Sequence, residues 1–347
     1  MTDEITITQD GTMATAGQIA NQIASKHIFS DYRKRRAENT IKRQDNDLAL
    51  FADYLQSLQL PIGNFAEDPQ AWSGISWGLV DGFRGWLLKA GYAVSTVNLR
   101  LSTIKVYATM AAKAGAIDGQ DLALIEAVKG YKRDEAKHID ENRKAEGIPT
   151  RRDRRRTGVA AGRKEQPVTL TQEQAAALKA QPDTPQGRRD RLLICLMIDH
   201  GLRAGEVAAL EVEDIDLEAG EMQFYRPKVG KVQTHRLSRD TLRAASDYIH
   251  FDLSRKHGPL LMGSVKGGEL TGVMSTRAVT QRVTDLGAAL EIQGLSAHDL
   301  RHHWATKAAR AGTPIDRLMH AGGWTSPAMP LRYIEAAKIA NEGVILG

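Results

Sequence analysis

The chain contains one cysteine, Cys195, among 347 residues, so no disulfide can form within it. No run of eighteen apolar residues occurs, which leaves no candidate for a helical membrane span. The N-terminal stretch MTDEITITQDGTMATAGQ is polar and acidic, without the basic start and apolar core of a signal peptide. No internal repeat is found. Cys195 lies in the apolar run LLICLMI, where buried filler is the expected role for it. These absences point to a soluble, cytoplasmic chain. A composition of 42% hydrophobic and 26% charged residues points to a globular one, with length enough for two domains.

The net charge of +5 is modest, and its distribution says more. Residues 151 to 156 read RRDRRR, with Arg163 and Lys164 close behind. Such a block is either a solvated linker or a contact for a polyanion. The two readings are compatible, because a linker can lie along its partner.

Before this block the chain reads as helical. In IKRQDNDLALFADYLQSLQL, Leu48, Phe51, Leu55 and Leu58 recur at three- and four-residue steps, and Pro61 follows as a stop. Ser76 can cap a second helix that buries Leu79, Phe83 and Leu87. Ser95 can cap a third, with Val97, Leu101, Ile104 and Ala108 inward and Arg100 and Lys105 on its polar side. A fourth helix is expected from about Gln120 to Lys132. Residues 1–25 are expected to be disordered, 26–132 to form the helical domain, and 133–166 to be a charged linker with a helical start. A second domain, 167–347, opens at TLTQEQAAAL, where Thr171 and Gln174 have capping-box spacing. Its first long helix is expected to stop at Gly201. Two short strands around a turn at Pro227 to Gly230 follow, and the remainder reads mostly helical. The fold class is therefore mainly α, an all-helical N-terminal domain followed by a mixed α+β domain with a small antiparallel sheet.

Near the end, LSAHDLRHHWAT puts His298 and His302 four residues apart on a probable helix, as in the zinc motif HExxH. Asp299 stands at the second position, no glutamate lies between the histidines, and no further Cys or His cluster supplies a third ligand. A metal site is not expected. Taken singly, each His, Arg, Trp or Tyr here reads as packing or surface; the combination says more.

LSAHDLRHHWAT resembles the H-x-x-R box of the tyrosine site-specific recombinases. HGLRAGEVAALEVEDID resembles that family's first arginine box, and AGGWTSPAMPLRYI its tyrosine box, with a Trp after two glycines that is similar to Cre recombinase. GYAVSTVNLRLSTIKVYATMAAKAG resembles the family's N-terminal DNA-clamping domain. Each box alone is weak; the three in order are specific. The resemblance implies Tyr333 as nucleophile, Arg203 and Arg301 as the two catalytic arginines, His298 as the histidine and Glu206 as the acidic residue. Trp324 takes the place held by His in many members. Lys228, in RPKVGKVQTHRLS, matches the lysine of the strand turn, preferred over Lys231 for its distance from the following apolar strand end.

These residue types suit phosphoryl transfer. Attack on a phosphodiester adds charge to its nonbridging oxygens, and positioned guanidinium groups stabilise that charge. A neutral phenol is a poor nucleophile, so cationic neighbours and a base such as His298 would help ionise Tyr333. An ammonium such as Lys228 could protonate the departing 5′-oxygen. Trp324 can only donate a hydrogen bond and pack, and Glu206 would orient the arginine one turn before it. The product would be a 3′-phosphotyrosine with a free 5′-hydroxyl, so no ATP and no cofactor are implied, and the sequence has no GxxxxGK[ST] loop. The implied partners are double-stranded DNA with a specific, inverted-repeat target and further copies of the chain, four in all, exchanging strands through a Holliday junction. Val344, Ile345 and Leu346 near the chain end would dock on a neighbouring protomer or on their own core. The alternatives are a type IB topoisomerase, against which the N-terminal helices and short tail speak, and a catalytically silent DNA-binding relative. DNA is expected to pass between the domains, with Arg100, Lys105, Arg151, Arg152, Arg154 and Arg155 on its backbone.

Replacing Arg151, Arg152 and Arg154 with glutamine should flatten the salt dependence of duplex binding by about two to three in the log–log slope. Anisotropy titrations at several salt concentrations measure it, and an unmoved slope would mark the block as spacer.

Overall fold

The structure, a computed structural model, describes residues 13–147, 167–253, 255–265 and 267–337. Residues 1–12, the arginine block at 151–156 and the apolar stretch at 344–346 lie outside the described residues. The chain divides into two compact units, Met1–Gly162 and Arg163–Gly347.

The first unit is helical: α1 (Met13–Lys34), α2 (Glu38–Ser57), a 3-10 turn (Pro69–Trp72), α3 (Trp77–Lys89), α4 (Val94–Lys113), α5 (Gly119–Ala127) and α6 (Arg133–Ala145). Helix α1 begins at Met13, inside the stretch expected to lack structure, and its Phe29 reaches the core, edge-on to Tyr107. The expected apolar stripes are buried at Leu48, Phe51 and Leu55, at Phe83 and Leu87, and at Val97, Leu101, Ile104 and Ala108. Leu58 instead caps the end of α2 and is exposed. Ser76 occupies the cap position of α3 without a side-chain bond, and α4 starts one residue before Ser95, after Ala93. Rings fill the centre, where Phe51 touches Phe65, Trp72 and Phe83. The buried Trp72 indole donates to the Phe65 carbonyl at 3.1 Å, so its N–H is satisfied inside the apolar centre.

The second unit is mixed α+β. Helix α7 (Gln172–Lys179) opens with the Thr171–Gln174 capping box, both reciprocal bonds being present. Helix α8 (Pro185–His200) is buried on nearly every side from Leu192 to Ile198, Cys195 included, and is the post around which the unit packs. It stops at Gly201, whose φ of 62° is the left-handed value glycine tolerates best. Then come α9 (Ala204–Ala208), β1 (Ile215–Asp216), β2 (Glu221–Arg226), β3 (Lys231–Arg236) and α10 (Arg239–Asp252). The antiparallel sheet has the order β1-β2-β3, with Met222 opposite His235 and Arg226 opposite Lys231. A two-stranded ribbon, β4 (Met262–Ser264) and β5 (Leu270–Val273), precedes α11 (Thr276–Ala289), α12 (Ala297–Arg310), α13 (Ile315–Gly322) and α14 (Ala328–Ala337). Helices α10 and α12 pack on α8, and α14 packs on α12. Among the described residues no helix is long and apolar enough to cross a membrane.

Two histidines are held neutral inside this unit. Burial pushes His200 down to about 4 and His235 down to about 3, the latter also repelled by His200, Arg226 and His320. Their folded values lie below the unfolded value of about 6.5, so the stability they confer is complete above that pH and is lost as pH falls. Between pH 7 and pH 5 the second unit should lose on the order of 3 kcal/mol, measurable by urea unfolding. Substituting both histidines with glutamine should flatten the profile; an equally steep profile would place the acid sensitivity elsewhere.

Candidate active site

Local chain geometry sets Arg203 and Glu206. Beyond the left-handed Gly201, Arg203 is the N-cap residue of α9 and Glu206 its third residue. The Glu206 carboxylate accepts the Arg203 backbone N–H at 2.8 Å and its Nη1 at 2.6 Å, so one side chain caps the helix and fixes the arginine fork. On α12, His298 lies exposed in the first turn and Arg301, one turn later, is 3% exposed. Asp299 between them is buried and spends its carboxylate on capping, accepting the Ser296 N–H and hydroxyl and the Val168 N–H. The departure from HExxH at this position therefore has a structural use. Among the described residues no group of three or more His, Cys, Asp or Glu side chains is placed to hold a metal ion.

Helix α13 ends against the arginines. Arg301 donates to the carbonyls of Gly201 and Gly322, and Arg203 donates to that of Gly323 at 3.4 Å. A further arginine, Arg226 at the end of β2, donates to the carbonyls of Gly322 at 3.0 Å and Ala321 at 2.8 Å and to both oxygens of Glu206. The carbonyl end of a helix carries partial negative charge, so it is a favourable seat for three cations. Burial and the charges of Arg203 and Arg226 bring Arg301 down to about 9, which leaves it protonated at neutral pH.

A cleft of about 360 Å³ opens on this cluster, lined by Arg203, Lys228, His298 and Arg301 together with Thr280 and Ser296. Lys228 is exposed in the Pro227–Gly230 turn; Lys231 starts β3 and is not among the cleft's lining residues. An arginine fork has five N–H donors, and the carbonyls and Glu206 engage only part of the Arg203 and Arg301 set, so an oxyanion in the cleft would find open donors.

Tyr333, on α14, sits beside the cleft and does not line it. Its side chain is 1% exposed, edge-on to the His302 ring at 4.7 Å and tilted against Trp324 at 5.6 Å. Among the described residues the buried hydroxyl has no hydrogen-bond partner. Burial raises its pKa, while Arg301 and Arg203 pull the other way. Trp324 stacks on Trp304 and lies 4.5 Å from the Arg301 guanidinium. Gly322 makes this packing possible: a Cβ there would fall 2.0 Å from the Trp324 ring.

Residues 168–339 match the phage integrase family. The chain belongs to this family. A XerC tyrosine recombinase of Roseiflexus castenholzii is 26% identical over 300 residues, covering 83% of this chain and 80% of that one. The Escherichia coli type 1 fimbriae regulatory protein FimB is 30% identical over 137 residues, 39% of this chain and 67% of that one. A probable integrase/recombinase of Methanocaldococcus jannaschii is 27% identical over 156 residues, 44% of this chain; the chain spans about half of that relative, 47%. The fold is similar to that of a lambda integrase dimer bound to a COC' core site, with a TM-score of 0.59, 15% identity and coverage of 92% and 96%. These matches support the tyrosine recombinase and integrase superfamily at large rather than a Cre-like branch.

Around the cleft the structure gathers Arg203, Glu206, Lys228, His298 and Arg301, with Trp324 and Tyr333 on its flank. Arg100 and Lys105 belong to the other unit and are engaged there. Arg100 lies over the Tyr92 ring and pairs with Asp47 at 3.4 Å, and Lys105 donates to the Glu126 carbonyl at 2.8 Å. Both are part-buried and hold these partners within their own unit. One neighbour was not singled out in the sequence. Arg226 carries a signal: Met222 and Phe224 point inward along β2, and alternation puts an arginine at the next inward position. His302, weighed in the sequence only as half of a zinc pair, instead packs on Tyr333, which the path of α14 brings to it.

Gly322→Ala should force the Trp324 indole off the end of α13 at a cost of about 1–3 kcal/mol. Urea unfolding read by tryptophan emission would register it; an unchanged midpoint and spectrum would show the indole free to shift.

Proposed function

We propose that the chain is a site-specific DNA recombinase in which Tyr333 attacks one phosphodiester of a duplex and forms a 3′-phosphotyrosyl bond. The observation that carries this reading is the cleft lined by Arg203, Arg301, Lys228 and His298, with a phenol held within the electrostatic reach of both arginines. A scissile phosphate seated there would receive the open N–H groups of two guanidinium forks, and its negative charge would offset their mutual repulsion. The phenol moves from its place beside Trp324 and His302 to the phosphorus. His298 takes or shares its proton. The P–O5′ bond breaks as the O–P bond to tyrosine forms, and Lys228, on the turn, gives the departing oxygen its proton. Trp324 supports Arg301 by its ring face, and Glu206 keeps Arg203 in place.

The new ester retains the energy of the phosphodiester, so a 5′-hydroxyl from a second duplex can reverse the step on a new strand. Repeated on both strands, this exchanges two duplexes through a Holliday junction, which calls for four copies of the chain on two sites. The structurally similar lambda integrase is captured as a dimer bound to a COC' core site, which supports a specific site as the partner here. The arginines at 151–156 would add backbone contacts.

Sites selected from random duplex DNA provide the substrate for the test. Wild-type protein should form a covalent adduct that leaves a free 5′-hydroxyl, and Tyr333→Phe should form none. Arg203→Ala or Arg301→Ala should slow adduct formation ~10²–10³-fold. Paired sites should recombine. Adduct in the Tyr333→Phe protein would refute the assignment, and supercoil relaxation without exchange would favour a topoisomerase.

A further inference from the structure

Arg226 is fully buried, yet it touches three separately folded pieces of the site. It closes β2, two residues before Lys228. Its Nη1 lies 3.3 and 3.2 Å from the two Glu206 oxygens and 3.0 Å from the Gly322 carbonyl, and its Nη2 lies 2.8 Å from the Ala321 carbonyl. The fit is close enough that a Cβ on Gly323, whose φ is 60°, would fall 2.6 Å from the Arg226 Cδ. The ring of Phe224 covers the other side, 4.8 Å from the guanidinium carbon. Arg226 is not among the residues that line the cleft, so it does not face the space a phosphate would occupy.

Two of the three groups that Arg226 holds also hold the arginines that do line the cleft. Glu206 is the partner of Arg203, and the Gly322 carbonyl is the acceptor of Arg301. Without Arg226, the carboxylate would be held by Arg203 alone and could turn about its cap bond, drawing the fork away from the cleft. A helix-end carbonyl left with one donor would lose the restraint that sets where Arg301 points. We propose that Arg226 is a positioning residue: by sharing Glu206 and the Gly322 carbonyl, it sets the separation of Arg203 and Arg301 and anchors the strand end that carries Lys228. The assignment deepens the proposed recombinase reading and rests on it for the identity of the ligand. The arrangement of the forks is a property of the protein alone.

Two variants and two readouts test it. Arg226→Met removes the donors, and Arg226→Lys keeps the charge, although one ammonium cannot span Glu206 and two carbonyls at once. Circular dichroism melting establishes that each is folded; if the Met variant is not, the Lys variant carries the test. Inorganic phosphate, titrated by calorimetry at low ionic strength, reports on the forks without DNA. Binding should weaken roughly tenfold in the folded variants. Adduct formation on the selected duplex should slow about 10²-fold, as expected for misplaced donors, while duplex affinity stays near wild type. The double variant Arg226→Met with Glu206→Gln should be slowed by less than the product of the single effects, since both act on one unit. Phosphate affinity unchanged in the folded variants, or undetectable in wild type, overturns the inference, as do independent effects in the double variant. If wild type forms no adduct while the phosphate result holds, the recombinase reading fails and the positioning role stands.

Discussion

Three guanidinium groups converge on the carbonyl end of one helix, with a single carboxylate among them. Cations crowded in a desolvated place repel one another, and Arg301 registers this in a pKa brought down to about 9. What opposes the repulsion is Glu206 and the row of carbonyls from Ala321 to Gly323. Such a cluster is an unfinished electrostatic arrangement. One carboxylate does not balance three guanidinium groups, and the remaining charge faces an open cleft, where an anion would be favoured.

The surrounding packing follows from that convergence. For three arginines to meet one helix end, the chain must stop α8 and α13 abruptly and let rings approach the backbone. Glycines do both. Gly201 ends α8 in the left-handed region, where a Cβ would also meet Trp304 at 2.3 Å, and Gly323 does the same for α13 beside Arg226. Trp304 and Trp324 stack on each other beside the Arg301 fork, and Trp324 also packs against Tyr333. Site and core are thus the same contacts seen from two sides, which is why a change at Gly322 is expected to register as lost stability.

Much of this was legible in the sequence where the signal is local. The capping box at Thr171, the stop at Gly201, the turn at Pro227 to Gly230 and the inward stripes of α2 to α4 all depend on neighbours within a few residues, and all appear. Helix starts were less legible, since Ser95 loses to Ala93 once packing sets the entry of α4. The polar face of α4 was legible but the partners it holds were not: Asp47 on α2 takes Arg100, and a carbonyl at the end of α5 takes Lys105. Arg226 was overlooked because its partners, at 206 and at 321–322, are distant in sequence, and the alternation that exposes it is read as noise without them.

The placement of Tyr333 completes the picture under the recombinase reading. Its hydroxyl is buried and, among the described residues, unpaired, an arrangement that costs free energy. The rings of His302 and Trp324 hold it there by packing, while burial keeps it protonated. The forks nearby pull toward the ionised form, and their pull grows as the phenol nears them and loses its apolar surroundings. Movement into the cleft and ionisation are therefore coupled: each step the ring takes toward Arg203 and Arg301 makes the phenolate easier to form. A phosphate already seated would weaken that pull by neutralising the same arginines, so a base close at hand becomes necessary when the substrate is present. In the proposed reading that base is His298, which lies on the cleft wall one turn from Arg301.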